Sequence, residues 1–321
     1  MNSTLWTLSS TILREAIFKG YIENTSPLRI GAGEVPPLGS RVDSAVIRVR
    51  YGEYDIPYIP GSSLKGLFRS HAGRIASSYG LKVCSGLSKE SCVETVRVAH
   101  EERGSKREYT LAKLIEMLLR NGESSKAMEI FFEKACILCK IFGSMGYRSK
   151  VSFSDAYPID DEGRVLPFTF GSRIGIAIDR RTGAAARGAF YEAEYVEPGC
   201  RFKFEIRCSN LPNYALGLLG SILRMIDNGE VRIGGFTSRG YGLVKIRNLN
   251  ISIKDYTLKG EGKVLPSLEV NVDENVDVSD LAELKDGQLC FQDDRAWALI
   301  DRLEGVWRNA AGKIKRSEKQ A

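Results

Sequence analysis

The sequence predicts an α+β fold, an antiparallel or mixed sheet with helices on one face in a ferredoxin-like arrangement. Three features of the 321 residues carry this expectation. Residues 15–24 (EAIFKGYIEN) alternate apolar and polar, the period of a half-buried strand. Two groupings follow one another: strand, helix and strand early, then hairpin, helix and strand late. The first helical stretch keeps Leu64, Leu67, Phe68 and Ile75 on one face, as a helix packed on a sheet must.

Taken in order, the first strand leads into SPLRIGAGEVPPLGSR, whose Gly and Pro content reads as a long surface loop, and then into the short strand DSAVIRV. YGEYDIPYIPGSS turns into a helix over SLKGLFRSHAGRIASSYG, with Ser62 or Ser63 placed to cap it. Residues 81–109 are polar and irregular. From Thr110 to Phe142 the spacing is helical, interrupted by NGESS, so that 81–141 reads as an insertion. Strand-like runs return at 151–158, 173–179, 189–199 and 200–208, with RRTGAAARG as a hairpin tip between the second and third. Residues 213–229 form a helix closed by Gly229, and VRIGGFTSRGYGLVKI returns to strand. Residues 1–254 then make one domain and 255–321 an acidic C-terminal extension. Its end is helical, with Trp297, Ile300, Leu303 and Val306 recurring every three residues.

Hydrophobic residues make up 43% of the chain, which excludes a disordered polymer. No stretch approaches the ~18 uninterrupted apolar residues of a membrane span. The start lacks the basic-then-apolar order of a signal peptide. Seven cysteines, an odd number in a long chain, argue against a secreted disulfide scaffold. The expectation is a soluble cytoplasmic protein. Its net charge of +6 is uneven, +10 over residues 1–254 and −4 over 255–321. A basic body suits a polyanionic partner.

Two stretches could carry that partner. IGGFTSRGYG (233–242) sets four glycines and Arg239 ahead of a strand, so backbone N–H groups could approach phosphates closely. The bland reading is a glycine-rich turn, and with no GK[ST] it is not a P-loop. IPYIPGSSLKGLFRS (56–70) puts Ser62, Ser63, Lys65 and Arg69 at a helix start, where N–H groups and dipole favour an anion. An ordinary capped helix with solvated bases is the alternative. Separately, CILC places Cys136 and Cys139 three apart on one helical face, after Cys84, Cys92 and His100 in the irregular stretch. Four ligands from these five would make a tetrahedral structural zinc site; otherwise the cysteines pack as small hydrophobes.

PYIPGSSLKGLFR, FGSMGYRSKVSFSDAYP, AIDRRTGAAARGAFYEAEYVEPG and IGGFTSRGYGLVKI occur in this order, within residues 16–250. Together they resemble the backbone subunit of type III CRISPR RNA-guided effector complexes, in the RAMP superfamily. The resemblance implies a modified ferredoxin-like (RRM-like) domain that lines up along guide RNA (crRNA). Such a domain assembles head to tail with copies or paralogues of itself and with other effector subunits. It implies guide contacts for Ser62, Ser63, Lys65, Arg69, Arg148, Lys150, Gly234, Gly235 and Arg239. The hairpin at 179–197 matches the family's thumb, with Arg180 and Arg181 at its tip as further RNA contacts. RVDSAVIRV supplies Asp43 where cutting members carry their essential aspartate, with Ala45 where the family usually has proline. The implied activity is metal-dependent cleavage of complementary single-stranded target RNA at regular intervals of about six nucleotides, with magnesium the expected ion. Two other readings stay open: a purely architectural subunit, and a guide-processing endoribonuclease using His71.

Overall fold

A computed structural model describes residues 5–8, 10–31, 44–102, 105–178, 181–183, 185–257 and 262–320. Strand β1 (Arg14–Asn24) is followed by the hairpin β2 (Arg48–Tyr51) and β3 (Tyr54–Pro57), and then by helix α1 (Gly61–Ser78). The insertion holds α2 (Cys92–Thr95), the hairpin β4 (Arg97–Glu102) and β5 (Ser105–Thr110), and helices α3 (Leu111–Arg120), α4 (Ser124–Lys134) and α5 (Ile137–Phe142). Next come β6 (Val151–Phe153), the long hairpin β7 (Phe170–Ile178) and β8 (Ala185–Val196), β9 (Arg201–Ser209), α6 (Asn213–Asp227) and β10 (Val244–Asp255). The C-terminal part adds β11 (Val264–Leu265), β12 (Val276–Asp277), β13 (Glu283–Lys285), β14 (Gln288–Gln292) and α7 (Asp294–Gln320).

The α+β expectation holds. Six strands form one antiparallel sheet in the order β13-β14-β10-β1-β9-β6. β1 buries every second residue, Ala16, Phe18 and Ile22 among them, and β9 does the same with Phe202, Phe204 and Ile206. These side chains share one core cluster with Leu64 and Phe68 of α1 and Leu219 and Ile222 of α6, so one face of the sheet is core and the other carries Lys19, Lys203, Arg207 and Arg247. Helix α6 is buried along nearly its whole length because α7 covers the side that the sheet does not. An all-round apolar helix of this kind needs neighbours on both sides.

The insertion differs from its expected form. Residues 97–109, read as irregular, and Thr110, read as the start of the helical stretch, contribute the paired strands β4 and β5. Both strands are charged and β5 is largely exposed, so no alternation betrayed them. The C-terminal part packs on the body of the chain. Its β13 and β14 extend the central sheet through β10. Buried Arg14 of β1 pairs with Asp255 at 2.6 Å and donates to Asn213 at 2.6 Å. Asp273 accepts the backbone N–H groups of Asn213 and Tyr214 (both 3.1 Å), capping α6. Glu269 takes bonds from the Trp6 indole (2.8 Å) and the Tyr214 hydroxyl (2.6 Å), and burial pushes its carboxyl above the usual range. Among the described residues no helix is long and apolar enough to cross a membrane.

Candidate nucleic-acid interface and metal centre

Two segments about ninety residues apart build one groove. Helix α1 begins not on Ser62 or Ser63 but on Gly61, with Pro60 as its N-cap. The Gly61 N–H donates to Asp155 Oδ1 at 2.7 Å, so the cap comes from the SFSDA segment. Ile59 and Ala156 exchange backbone bonds of 3.0 and 2.9 Å beside it. A Cβ on Gly61 would overlap the Phe153 carbonyl, which explains the glycine. Phe68 of α1 meets Phe153 with ring centroids 5.0 Å apart.

The groove has a volume of about 560 Å³ and is lined by Ser62, Lys65, Arg148, Ser149, Lys150, Ser152, Arg207 and Glu15, among others. Lys65 and Arg207 reach it from α1 and from the outer face of β9, and Arg148 is exposed on its wall. Burial, then the nearby Arg69 charge, holds the Lys65 ammonium below the usual lysine value. Lys150 turns inward: its Nζ donates to the Leu8 carbonyl at 2.8 Å, and burial, then Arg148, lowers it to about 8. Ser63 is exposed outside this lining. Arg69 also lies outside it. Its Nη1 donates to the Gly143 carbonyl at 2.9 Å and its Nη2 approaches two cysteine sulfurs. His71 turns Nδ1 to the Leu67 carbonyl of its own helix, 2.9 Å away.

A second basic surface lies where the glycine-rich loop meets the base of the β7–β8 hairpin. Gly234 has φ +88° and sits against the Arg29 carbonyl, while the Gly235 N–H donates to that same oxygen at 2.8 Å. These glycines therefore serve close backbone packing as well as any ligand. Arg239 stacks over Phe236 at 5.0 Å and reaches the Tyr191 hydroxyl. Arg29 lies over the other approach to Phe236 at 4.7 Å, and Arg173 over Tyr241 at 5.5 Å. Arg29, Arg173, Arg207 and Phe236 were not singled out from sequence. The charged outer positions of β9 (Arg201, Lys203, Glu205, Arg207) and the Phe236/Tyr241 spacing were the available signals.

Asp43 and Arg180 lie outside the described residues, and Arg181 is exposed at the hairpin tip. The residue after Asp43 is tied to the hairpin: the Ser44 N–H donates to the Glu192 carbonyl at 3.2 Å, and its carbonyl accepts from Glu194 at 3.0 Å.

The cysteines converge. Sulfurs of Cys84, Cys92, Cys136 and Cys139 all lie within 4.8 Å of one another. Cys84 follows α1, Cys92 opens α2, and Cys136 and Cys139 flank the start of α5. Cys84 Sγ is 3.7 Å from Cys136 Sγ and 3.3 Å from Cys139 Sγ. Tetrahedral zinc with Zn–S of about 2.3 Å needs sulfurs about 3.8 Å apart, so the donor set fits. The Cys136 N–H points at Cys92 Sγ, 3.4 Å away, the kind of outer bond that orients a thiolate ligand. Hydrogen bonding from Cys136 and Cys139 pulls the Cys84 thiol down, and bonding with Cys139 lowers Cys136 to about 7. Among the described residues this is the one sulfur cluster of its kind, and His100 stands apart from it, on β4 opposite Arg107. Cys200 and Cys208 are core residues of the sheet, and Cys290 is half-buried.

A family model identifies the class to which this sheet, groove, glycine-rich loop and hairpin belong. The RAMP superfamily model matches residues 21–245, most of the chain, and the chain belongs to that superfamily. A curated relative, the CRISPR system Cms endoribonuclease Csm3 of Methanocaldococcus jannaschii, is 24% identical over 252 residues, 76% of this chain and 83% of that protein. A chain in the cryo-EM structure of the Type III-B Cmr-beta complex bound to cognate target RNA is similar with a TM-score of 0.41 and 17% identity. That match covers 74% of this chain and 61% of the other, so this chain spans less than two thirds of that one's length.

Proposed function

We propose that this chain is a backbone subunit of a type III CRISPR effector complex, binding crRNA along a filament of such subunits. One observation carries the reading. In a RAMP-superfamily chain, the PGSSLKG and SFSDA segments, which resemble backbone subunits in particular, meet to build a basic groove at a helix N-terminus. Lys65, Arg148 and Arg207 give it positive charge suited to phosphate oxygens, with Ser62 of the first turn of α1 beside them. The glycine-rich loop with Arg239 and the hairpin form a second contact for the same strand. Complementary single-stranded target RNA pairs with the guide, and neighbouring effector subunits and copies or paralogues of this chain complete the assembly.

Cleavage of the target is the finer part of the proposal, with Asp43 as the catalytic residue. A target 2′-hydroxyl attacks the adjacent phosphate, leaving a 2′,3′-cyclic phosphate and a 5′-hydroxyl. Asp43 orients that hydroxyl or holds a divalent ion, with magnesium the ion expected from the resemblance. What supports the reading is that Ser44, the next residue in sequence, is bonded to β8 of the hairpin. The zinc reading is separate: Cys84, Cys92, Cys136 and Cys139 hold a structural zinc that fastens the insertion to α1. Asp43→Ala in the assembled complex should abolish cutting at regular intervals while guide binding stays. Cutting that persists would remove Asp43 from catalysis, and wild-type complex that binds guide without cutting would leave the architectural reading.

A further inference from the structure

Arg69 sits one turn beyond Lys65 on α1, yet the two side chains serve different sites. Lys65 lines the groove, whereas the Arg69 guanidinium lies against the sulfur cluster. Its Nη2 is 3.7 Å from Cys139 Sγ and 3.9 Å from Cys84 Sγ, and its Nη1 holds the Gly143 carbonyl at the end of α5. Gly86, with φ +77°, lies directly over the guanidinium, so any side chain there would overlap it. The Nε is buried without a hydrogen-bond partner among the described residues. Both terminal guanidinium nitrogens thus already have partners on the insertion side of α1.

We propose that Arg69 is the counter-cation of the four-cysteine centre and not an RNA contact. It would act as a positioning residue that ties the centre to the helix bearing the groove. The inference rests on the zinc reading above. Zinc held by four thiolates carries a net charge of −2, and a largely buried centre of that charge needs a cation beside it. The position also links both groove walls. The guanidinium holds α1 to the end of α5, and the chain runs from there through the Ser144–Tyr147 turn to Arg148 and Lys150.

The test uses the full-length chain and a labelled single-stranded RNA of mixed sequence. Wild type is first assayed for bound zinc. Arg69→Gln should release zinc to a chelator at least about tenfold more readily, the usual effect of losing an outer partner of a metal ligand. Its RNA affinity should keep the wild-type salt slope. Lys65→Gln should retain zinc and lose about 0.7 from that slope, one phosphate contact on a single strand. Arg69→Gln that keeps its zinc but loses the slope increment would overturn the proposal. If Arg69→Gln does not fold, wild type is treated with an arginine-modifying reagent and mapped by mass spectrometry. Arg69 should react only after zinc removal, with RNA giving no protection; protection of Arg69 by RNA in the zinc-loaded protein overturns the proposal. Wild type that neither carries nor takes up zinc overturns the zinc reading itself, a result distinct from zinc-bound wild type whose Arg69→Gln variant behaves like it.

Discussion

Replacing Gly61 by alanine tests how the groove is built. The added Cβ would overlap the Phe153 carbonyl oxygen and stand 3.0 Å from the Ser154 carbonyl carbon and 3.1 Å from that of Phe153. Retreat is restricted, because three hydrogen bonds pin the junction: Gly61 N–H to Asp155 at 2.7 Å and the Ile59–Ala156 pair at 3.0 and 2.9 Å. Overpacking of a tight site costs about 1–3 kcal/mol, and a lost hydrogen bond about 1 kcal/mol. Escape by sliding α1 would strain or break two or three such bonds, so both routes give a loss of about 2–3 kcal/mol. Gly66, five residues along the same helix, supplies the control. A Cβ there meets nothing within 4 Å among the described residues, so Gly66→Ala should stabilise by about 0.5–1 kcal/mol through helix propensity. Urea unfolding of both variants measures the difference. Equal midpoints for Gly61→Ala and wild type would refute the account of how the two segments meet, and the groove with it.

Two further outcomes follow from the same contacts. Zinc removal, or Cys136→Ser, should lower the unfolding midpoint and expose residues 82–142 to limited proteolysis, since the cluster joins α1, α2 and α5; unchanged protease sensitivity would show that the sulfurs hold no metal. Lys150 has a folded pKa of about 8, below lysine's usual 10.5, so the folded state binds the proton less well than the unfolded chain. Burying the charged form costs stability throughout the range below pH 8, and that cost is relieved as pH rises from 8 towards 10.5. Lys150→Met should flatten stability against pH in that window, measured by urea midpoints in matched buffers, and an unaltered slope would reject the buried-ammonium account.

Much of the fold was readable from local pattern. The alternation in β1, the apolar stripe of α1 and the three-residue spacing in α7 each report a buried face through their own period. The hairpin β4–β5 gave no such signal because β5 has no buried face to impose one. The cysteines announced a cluster by type, but five candidates for four positions could be narrowed only when Cys84, Cys92, Cys136 and Cys139 met and His100 fell on a strand elsewhere.

What the amino-acid order determined by itself was the class: an α+β chain with a basic body, carrying segments that place it in the RAMP superfamily. Periodicity, charge and motif are properties of neighbouring residues, so they survive without a fold. Direction and partnership are not. Lys65 and Arg69 share a helix and a charge, and four-residue spacing suggested one shared role. Only packing of α5 and the Cys84–Gly86 loop against α1 sends Arg69 to the sulfurs and leaves Lys65 in the groove. The acidic C-terminal part is the same lesson: composition sets it apart, yet Asp255, Glu269 and Asp273 are drawn inside by Arg14, Trp6, Tyr214 and the start of α6. A buried charge or polar group must find its partner wherever the chain brings one, and that choice is made across hundreds of residues by the tertiary structure alone.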